Sequence, residues 1–287
     1  MAKEIQEYIT YLSPEFIYVP FDRAEKLVIP ESGIVNHNTL LGEMENGNKI
    51  FSPVSGKVIG TKEMVLKTGL TRSLVIENDF IDKKEKLNPT RNLNKTKKSD
   101  IVESLKKYGL LNKISSKTTL VVNSLYDKNY DLKDMVINYE CYEEILEAID
   151  EFMNVFGMKS CYICVSSEDL NSIEAYNKYI NAFLNICMVH SNKKFKDANC
   201  VFYSIEEILA IHKAISLDYM YDNTIITINN GSPTIVKVKL YTSLSELFKA
   251  LKIAYKSKLV YVDNVRIDNV NDFIIDSSVR SVVVKDN

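Results

Sequence analysis

Short apolar runs punctuated by Gly, Pro and hydroxyl residues dominate the first 80 positions. In Phe51-Ser52-Pro53-Val54-Ser55-Gly56-Lys57-Val58-Ile59-Gly60, two apolar runs flank a Pro, two hydroxyls and a Gly. Pro53 presets φ, Gly56 supplies a positive φ, and Val58 and Ile59 resume a buried strand. The segment therefore predicts strand, tight turn and strand. Lys26 to Val35 and Thr39 to Gly42 repeat the alternation at short spacing, and Ser73 to Asn78 closes it. Residues 1–81 are predicted to form a small all-β unit.

The alternation stops at Asp82-Lys83-Lys84-Glu85-Lys86. From there to Asp100 the chain is polar, basic and almost free of large apolar residues, which predicts a solvated linker over 82–100. Beyond it the period becomes 3.6. Asp100 is placed to cap a helix over Ile101–Tyr108, with Ile101, Leu105 and Tyr108 on one stripe. A longer helix is predicted over Lys133–Phe156, where Ile145, Ile149, Phe152 and Phe156 share a face with Leu146 and Met153; Gly157 ends it. Buried strands at 118–123, 160–165 and 200–203 alternate with helices at 133–156, 169–187 and 204–217. Ser204-Ile205-Glu206-Glu207 reads as a capping box for the last of these. Such alternation predicts a mostly parallel, helix-covered sheet over 101–231.

The last stretch returns to strands. Asn223–Asn229 and Thr234–Leu240 flank Asn229-Asn230-Gly231-Ser232, Ser243 starts a short helix with Leu244, Leu247, Phe248 and Leu251 inward, and strands follow at 258–262 and 281–284. Residues 232–287 are predicted to form a β-grasp-like module. The expected fold class is α/β with flanking β modules, arranged as 1–81, the linker 82–100, 101–231 and 232–287.

The 287 residues suffice for roughly two or three domains. A formal charge of −2 leaves no nucleic-acid footprint at whole-chain level. Every apolar run is strand-sized, far below the about 20 residues of a membrane span, and Met1-Ala2-Lys3-Glu4 lacks the apolar core of a signal peptide, so a cytoplasmic protein is expected. Five irregularly spaced cysteines argue against a disulfide scaffold. Cys161 and Cys164 match C-x-x-C, but in a strand residues three apart face opposite sides, so they read as core. His37, His190 and His212 are far apart and read as surface or partly buried polar residues. Tyr139, Tyr142, Tyr176 and Tyr179 are suited to core or partner contacts. Six of the nine glycines lie between Gly33 and Gly69. Neither G-x-G-x-x-G nor G-x-x-x-x-G-K-[ST] is present, so the glycines are absent from where a phosphate-cradling loop needs them.

Taken in order, these segments resemble RnfC, the peripheral subunit of the ion-translocating ferredoxin–NAD oxidoreductase, and its electron-transfer relatives. Leu27 to Ile59, with Ser52-Pro53-Val54-Ser55-Gly56 at its turn, looks like the family's barrel-sandwich hybrid domain. Leu110 to Tyr179 resembles the domain shared with the flavoprotein subunit of respiratory complex I, and Ala210–Ala214 with Asn223–Ile228 looks like its closing helix and strand. Residues 234–284 are similar to the soluble-ligand-binding β-grasp domain.

The sequence departs from that family where a cofactor would bind. Tyr108-Gly109-Leu110-Leu111-Asn112-Lys113-Ile114 leads directly into strand 118–123, with no room for the family's G-x-G-G-A-G-F-P loop. The N-G-A-E-C-E-P-Y segment is replaced by Asn123-Ser124-Leu125-Tyr126-Asp127-Lys128-Asn129-Tyr130, matching at Asn123 and Tyr130 only. The N-V-x-T pattern is replaced at Ser204, Ile205 and Glu207, and the C-x-x-C-x-x-C segments are missing. The resemblance therefore implies a non-catalytic binding or scaffold subunit, with no cofactor and no iron–sulfur cluster expected. Its partners would be protein subunits of an electron-transfer or related complex, including one peripheral to a membrane. The alternative is an oxidoreductase subunit holding FMN or NAD(H) in a reshaped cleft, with Asn123, Tyr126, Asp127 and Tyr130 as its contacts, since ligands gather at the carboxyl ends of parallel strands. A third reading, a lipoyl- or biotinyl-type domain, needs a lysine on an exposed hairpin tip. Lys49 and Lys62 are near turns, but neither sits in that motif.

Overall fold

The structure is a computed structural model that describes residues 8–22, 24–87, 96–111, 117–125, 132–191, 197 and 199–286. In chain order its strands begin with β1 (Tyr8–Tyr11), β2 (Phe16–Pro20), β3 (Ala24–Leu27) and β4 (Ile34–Val35). β5 (Leu40–Met44), β6 (Lys49–Phe51), β7 (Gly56–Leu66) and β8 (Gly69–Asn78) complete the first run. The middle of the chain alternates α1 (Lys98–Lys107), β9 (Thr119–Ser124), α2 (Lys133–Phe156), β10 (Ser160–Val165), α3 (Leu170–Tyr179), β11 (Ile186–His190), β12 (Cys200–Ser204) and α4 (Ile205–His212). The remainder is β13 (Asn223–Asn229), β14 (Pro233–Lys239), α5 (Leu244–Ala250), β15 (Lys258–Val262), β16 (Val265–Ile267) and β17 (Ser281–Asp286). The fold is mixed α/β with several sheets, one of them wholly parallel.

Two units are distinguished. Unit 1 takes its residues from Met1–Lys86, Lys128–Lys133 and Asp222–Asn287. It holds a four-stranded sheet, β2-β8-β7-β4, a three-stranded sheet, β3-β5-β6, and a six-stranded sheet, β1-β14-β13-β17-β15-β16. Ile17, Val19, Leu41, Ile50, Val54, Leu74 and Ile76 fill the space enclosed by the first two sheets. The six-stranded sheet buries Ile226, Ile228, Val236, Val238 and Val282 against Leu244, Leu247 and Phe248 of α5. α5 is short, and its start is fixed by Ser243, whose hydroxyl accepts from the Glu246 amide.

The β runs at the two ends of the chain, read as separate modules in the sequence, are joined by backbone pairing. Val65 donates to the Asp272 carbonyl at 2.7 Å and accepts from the Ile274 amide at 2.9 Å; Tyr18 donates to the Tyr241 carbonyl at 3.1 Å. Tyr8–Tyr11 pairs in parallel with β14 rather than with its neighbours in sequence. The hairpin of β13 and β14, with Gly231 in its turn at φ 91°, spans the position expected to divide two domains at 231/232. Ile59, expected in a buried strand, is 51% exposed, because the β7–β8 register shifts between Val58 and Gly60 and leaves it as the extra residue of a bulge.

Unit 2 comprises Leu87–Asp127 and Asp134–Tyr221. Its sheet, ordered β11-β10-β9-β12, is parallel throughout. One face carries Leu120, Val122, Cys161, Ile163 and Val165; with Ile145, Ile149, Phe152, Ile205 and Ile208 of the helices these make a fully buried core. Two local readings are corrected. Asp100 lies inside the first turn of α1 and is not its N-cap, a position taken by Lys97. The helix expected over 169–187 ends at Tyr179, passes through one 3₁₀ turn at Ile180–Ala182 and gives way to β11. Apolar residues continue at helical spacing through Ile180, Phe183 and Leu184, but Asn185 turns into the left-handed region at φ 63° and Ile186–His190 pairs with β10. Pairing with β10 outweighed the local helical period.

Candidate functional site

In an open parallel sheet the ligand crevice lies outside the carboxyl ends of the strands, where the strand order reverses. β9, β10 and β11 step outward in sequence order, and β12 then returns to the other side of β9. The reversal therefore falls between β9 and β12, where Asn123 pairs in register with Ser204. Of the four residues expected to contact a cofactor, Asn123 is the one the structure places; Tyr126, Asp127 and Tyr130 lie outside the described residues. Asn123 is half-buried, and its buried side-chain oxygen has no hydrogen-bond partner among the described residues.

Beside it is the amino end of α4. Four backbone N–H groups and the helix dipole make such an end attractive to anions. Here the chain supplies its own anion. The Ser204 hydroxyl accepts from the Glu207 amide at 3.2 Å, the Glu207 carboxylate accepts from the Ser204 amide at 2.7 Å, and Glu206 adds a second carboxylate in the same turn. A nucleotide phosphate placed there would meet two negative side chains and lose the amides already bound. The residues present do not fit a phosphate at this helix end.

The opposite flank of β9 carries a buried polar chain. Tyr176 donates to the Asn138 side-chain oxygen at 2.7 Å, and the Asn138 amide donates in turn to the Ser124 hydroxyl. All three side chains are fully buried, which satisfies polar groups that α2 and α3 bring onto the sheet. Burial pushes the Tyr176 phenol well above its ordinary value, with Asp169 adding to the rise, so it serves as a donor throughout the accessible pH range. Asp169 caps α3 by accepting from the Ser172 amide; burial holds its carboxyl above the usual range. Of the remaining tyrosines singled out in the sequence, Tyr139 is 55% exposed, while the rings of Tyr142 and Tyr179 meet at 5.3 Å.

The cysteines do not form a ligand set. Cys161 lies on the helix-covered face; Cys164 faces the other way, with Val121 and Cys200. Burial pushes the Cys164 thiol up to about 11 and raises that of Cys161 further. Neither is a thiolate near neutrality, which metal ligation and thiol redox chemistry both need. Among the described residues no three His, Cys, Asp or Glu side chains are placed to hold a metal. Lys62, weighed as an attachment lysine, lies inside β7 and is ion-paired to Asp272 at 2.7 Å.

Two charged groupings escaped the sequence reading. At the amino end of the parallel sheet, the Glu151 carboxylate of α2 bonds His212 Nδ1 and the Ser216 hydroxyl, each at 2.7 Å. This clamps the end of α4 where it widens into a π-helical turn at Lys213–Leu217. In unit 1, His37, expected at the surface or partly buried, is 2% exposed and faces Asp82 and Asp222. Separations of 45 to 185 residues carry no local signal that could have joined these partners.

The His212 grouping makes a pH prediction. The Glu151 hydrogen bond raises the His212 pKa against the opposing effect of burial. A raised folded value means the contribution is complete below the ordinary histidine pKa of about 6.5 and is lost as pH rises through the folded value. His212→Gln is expected to cost about 1–2 kcal/mol near pH 6, with the deficit narrowing toward pH 9. Urea unfolding of both proteins across that range checks it; a deficit that grows with pH contradicts the assignment.

No protein-family model matches the chain, and no curated protein matches it. Among solved structures it is similar to a chain of NAD+-reducing [NiFe]-hydrogenase in the air-oxidized state, at 9% identity and a TM-score of 0.47. It is also similar to one from the H2-reduced state of an NAD+-reducing [NiFe]-hydrogenase, at 11% identity and a TM-score of 0.46. The matches cover 64% and 61% of this chain and 43% and 41% of those chains. The chain thus spans less than half the length of these two chains. No helix among the described residues is long and apolar enough to cross a membrane.

Proposed function

We propose that the chain is a binding or scaffold subunit of an electron-transfer or related assembly, built on an RnfC-like order of barrel-sandwich hybrid, α/β and β-grasp modules. One observation carries the non-catalytic part of this reading: the helix end at the sheet's reversal point is filled by the Ser204–Glu207 capping box. Helix-end anion binding needs unpaired amides and no competing negative charge; here the Ser204 and Glu207 amides are engaged, and the Glu206 and Glu207 carboxylates stand in the first turn. The missing Gly-rich loop after Tyr108 supports the same conclusion from the sequence. Partner subunits would supply the redox groups, and this chain would supply surface.

The purified protein is expected to show no flavin absorbance between about 370 and 450 nm. Titration with FMN or NADH is expected to give no saturable binding at about 100 μM, where a built nucleotide site of micromolar Kd would be almost full. Isolated from native extract, it is expected to co-purify with flavin- or iron–sulfur-containing proteins. Stoichiometric flavin in the isolated chain would sink the proposal, and so would a chain that leaves native extract alone.

The second reading, FMN or NAD(H) in a reshaped cleft, has one observation in its favour: the buried oxygen of Asn123, which has no hydrogen-bond partner among the described residues. The two readings part at Asn123→Leu, which removes that oxygen with little change in volume. For a protein without a ligand there, it is expected to raise stability by about 1 kcal/mol, the usual return from deleting an unsatisfied buried polar group. For a protein that uses the oxygen, the substitution abolishes FMN or NADH binding. Urea unfolding and ligand titration of the same variant separate the two.

A further inference from the structure

Around His37 the backbone and side chains of unit 1 gather the segment Asp79–Lys86 into a strap. The His37 amide donates to the Lys83 carbonyl and the Glu85 amide donates to the His37 carbonyl, both at 2.8 Å. Ser55, the second hydroxyl of the Ser52–Gly56 turn, donates to Asp79 at 2.6 Å and accepts from the Lys83 amide at 3.1 Å. Asn38 donates to the Glu85 carbonyl, and Asn36 and Thr39 occupy the Glu85 carboxylate. The strap carries two left-handed residues other than glycine, Phe80 at φ 59° and Asp82 at φ 53°. Such conformations persist where surrounding contacts enforce them. Asp82–Lys86, the start of the segment expected to be a solvated linker, is thus pinned.

The His37 ring closes the strap from below. Nδ1 lies 3.4 Å from Asp82 of the strap and Nε2 lies 3.4 Å from Asp222 at the edge of β13. Lys239 of β14 bonds Asp222 at 2.6 Å and Lys84 bonds Asp82 at 3.1 Å. With neutral imidazole the two aspartates and two lysines balance. A neutral ring donates through one nitrogen only, and a proton on the second adds a positive charge to a side chain that is 2% exposed.

We propose that His37 is an acid-released clasp: while it is neutral the Asp82–Lys86 part of the strap stays on the Asn36–Thr39 turn, and when it takes a proton that part comes off. Burial lowers the His37 pKa, and the pulls of Asp222 and Asp82 against the pushes of Lys239 and Lys84 do not restore it. The released state, with solvated imidazole, has the ordinary value near 6.5. The clasp is therefore fully closed above that value and is lost as pH falls from it toward the lower clasped value. Between the two values the closed-to-open ratio falls by roughly tenfold per pH unit.

Hydrogen exchange of the full chain between pH 5.0 and 7.5, corrected for intrinsic rates, tests this on peptides spanning 79–87. Protection of these amides is expected to fall as pH drops below 6.5, at up to about tenfold per pH unit until the clasped value is passed, while β15 peptides stay constant. His37→Gln, which still donates once and does not titrate in this range, is expected to remove the pH dependence. Equal protection at pH 5.0 and 7.5 in the natural protein overturns the proposal, as does an unchanged pH dependence in His37→Gln. Should that variant fail to fold, titration of the His37 ring proton by NMR decides instead: a pKa below 6.5 supports the clasp, and one at or above 6.5 overturns it.

Discussion

Asp222→Ala is expected to destabilise unit 1 by about 3–5 kcal/mol, the cost of leaving a buried charge without its counter-ion. The Lys239 ammonium is 2.6 Å from the Asp222 carboxylate, with side chains only 8% and 11% exposed. Asn223 donates to the same carboxylate at 2.8 Å, and His37 faces it. Burial pushes the Asp222 carboxyl up, but Lys239 and His37 outweigh it and hold the group below the usual carboxylate range. A lowered folded value means that this contribution is present above the ordinary aspartate pKa of about 3.9 and disappears as pH falls through the folded one. The expected deficit of Asp222→Ala is therefore largest near neutrality and shrinks below about pH 4. The double variant Asp222→Leu, Lys239→Met is expected to recover most of the loss, since two buried charges are then replaced by apolar side chains of similar size. Urea unfolding followed by circular dichroism measures the deficit, and hydrogen exchange of β13 and β14 assigns it to unit 1. A single-variant cost below about 1 kcal/mol would show the pair to be solvated and the argument mistaken.

Gly56→Ala is expected to cost about 3 kcal/mol or more, at or beyond the upper end of overpacking effects. A Cβ at this position would stand 2.0 Å from the Glu77 carbonyl oxygen and 3.0 Å from its carbon. The obstacle is backbone, and it cannot move aside: β8 is held between β7 and β2, with Gly56 opposite Asn78 and Phe16 opposite Glu77. The substitution must break one ladder or the other. The strap would follow, because Ser55 holds both Asp79 and the Lys83 amide. The expected observation is a lower unfolding midpoint together with lost protection over residues 79–87. A variant within about 1 kcal/mol of the natural protein would mean that β8 yields locally.

The parts of this fold that were legible in the sequence are those whose cause is local. Ser204-Ile205-Glu206-Glu207 forms the capping box its spacing predicts, because a cap needs only four consecutive residues. Lys133–Phe156 is helical with the expected face buried except at Phe156, which is half-buried, and the helix is kinked at Cys141, which the periodicity does not show. β9, β10 and β12 read as buried strands and are buried strands. The misreadings share an origin in distant partners. β11 looks helical until β10 is beside it, Ile59 looks buried until the bulge is known, and His37 sits in a polar turn yet is covered by Asp82 and Asp222. Asp82–Lys86 has the composition of a solvated linker, but its polar groups are satisfied by the Asn36–Thr39 and Ser52–Gly56 turns rather than by water alone.

For the candidate site, the sequence alone determined that no Gly-rich phosphate loop is present and that the C-x-x-C pair of Cys161 and Cys164 lies in a strand, facing opposite sides, because both depend on neighbouring residues. It also determined that strands and helices alternate in the middle of the chain and that strands flank them. Only the tertiary structure decided that β12 lies beside β9, which sets the capped end of α4 next to Asn123 at the sheet's reversal point. Only it decided that the two terminal β runs form one unit and that His37, Asp82, Asp222 and Lys239 meet inside it. Caps, turns and periodicity are energies of a few adjacent residues and are written in their order. Strand neighbours and buried ion pairs are chosen by the burial and hydrogen bonding of the whole chain, at separations that no local pattern encodes.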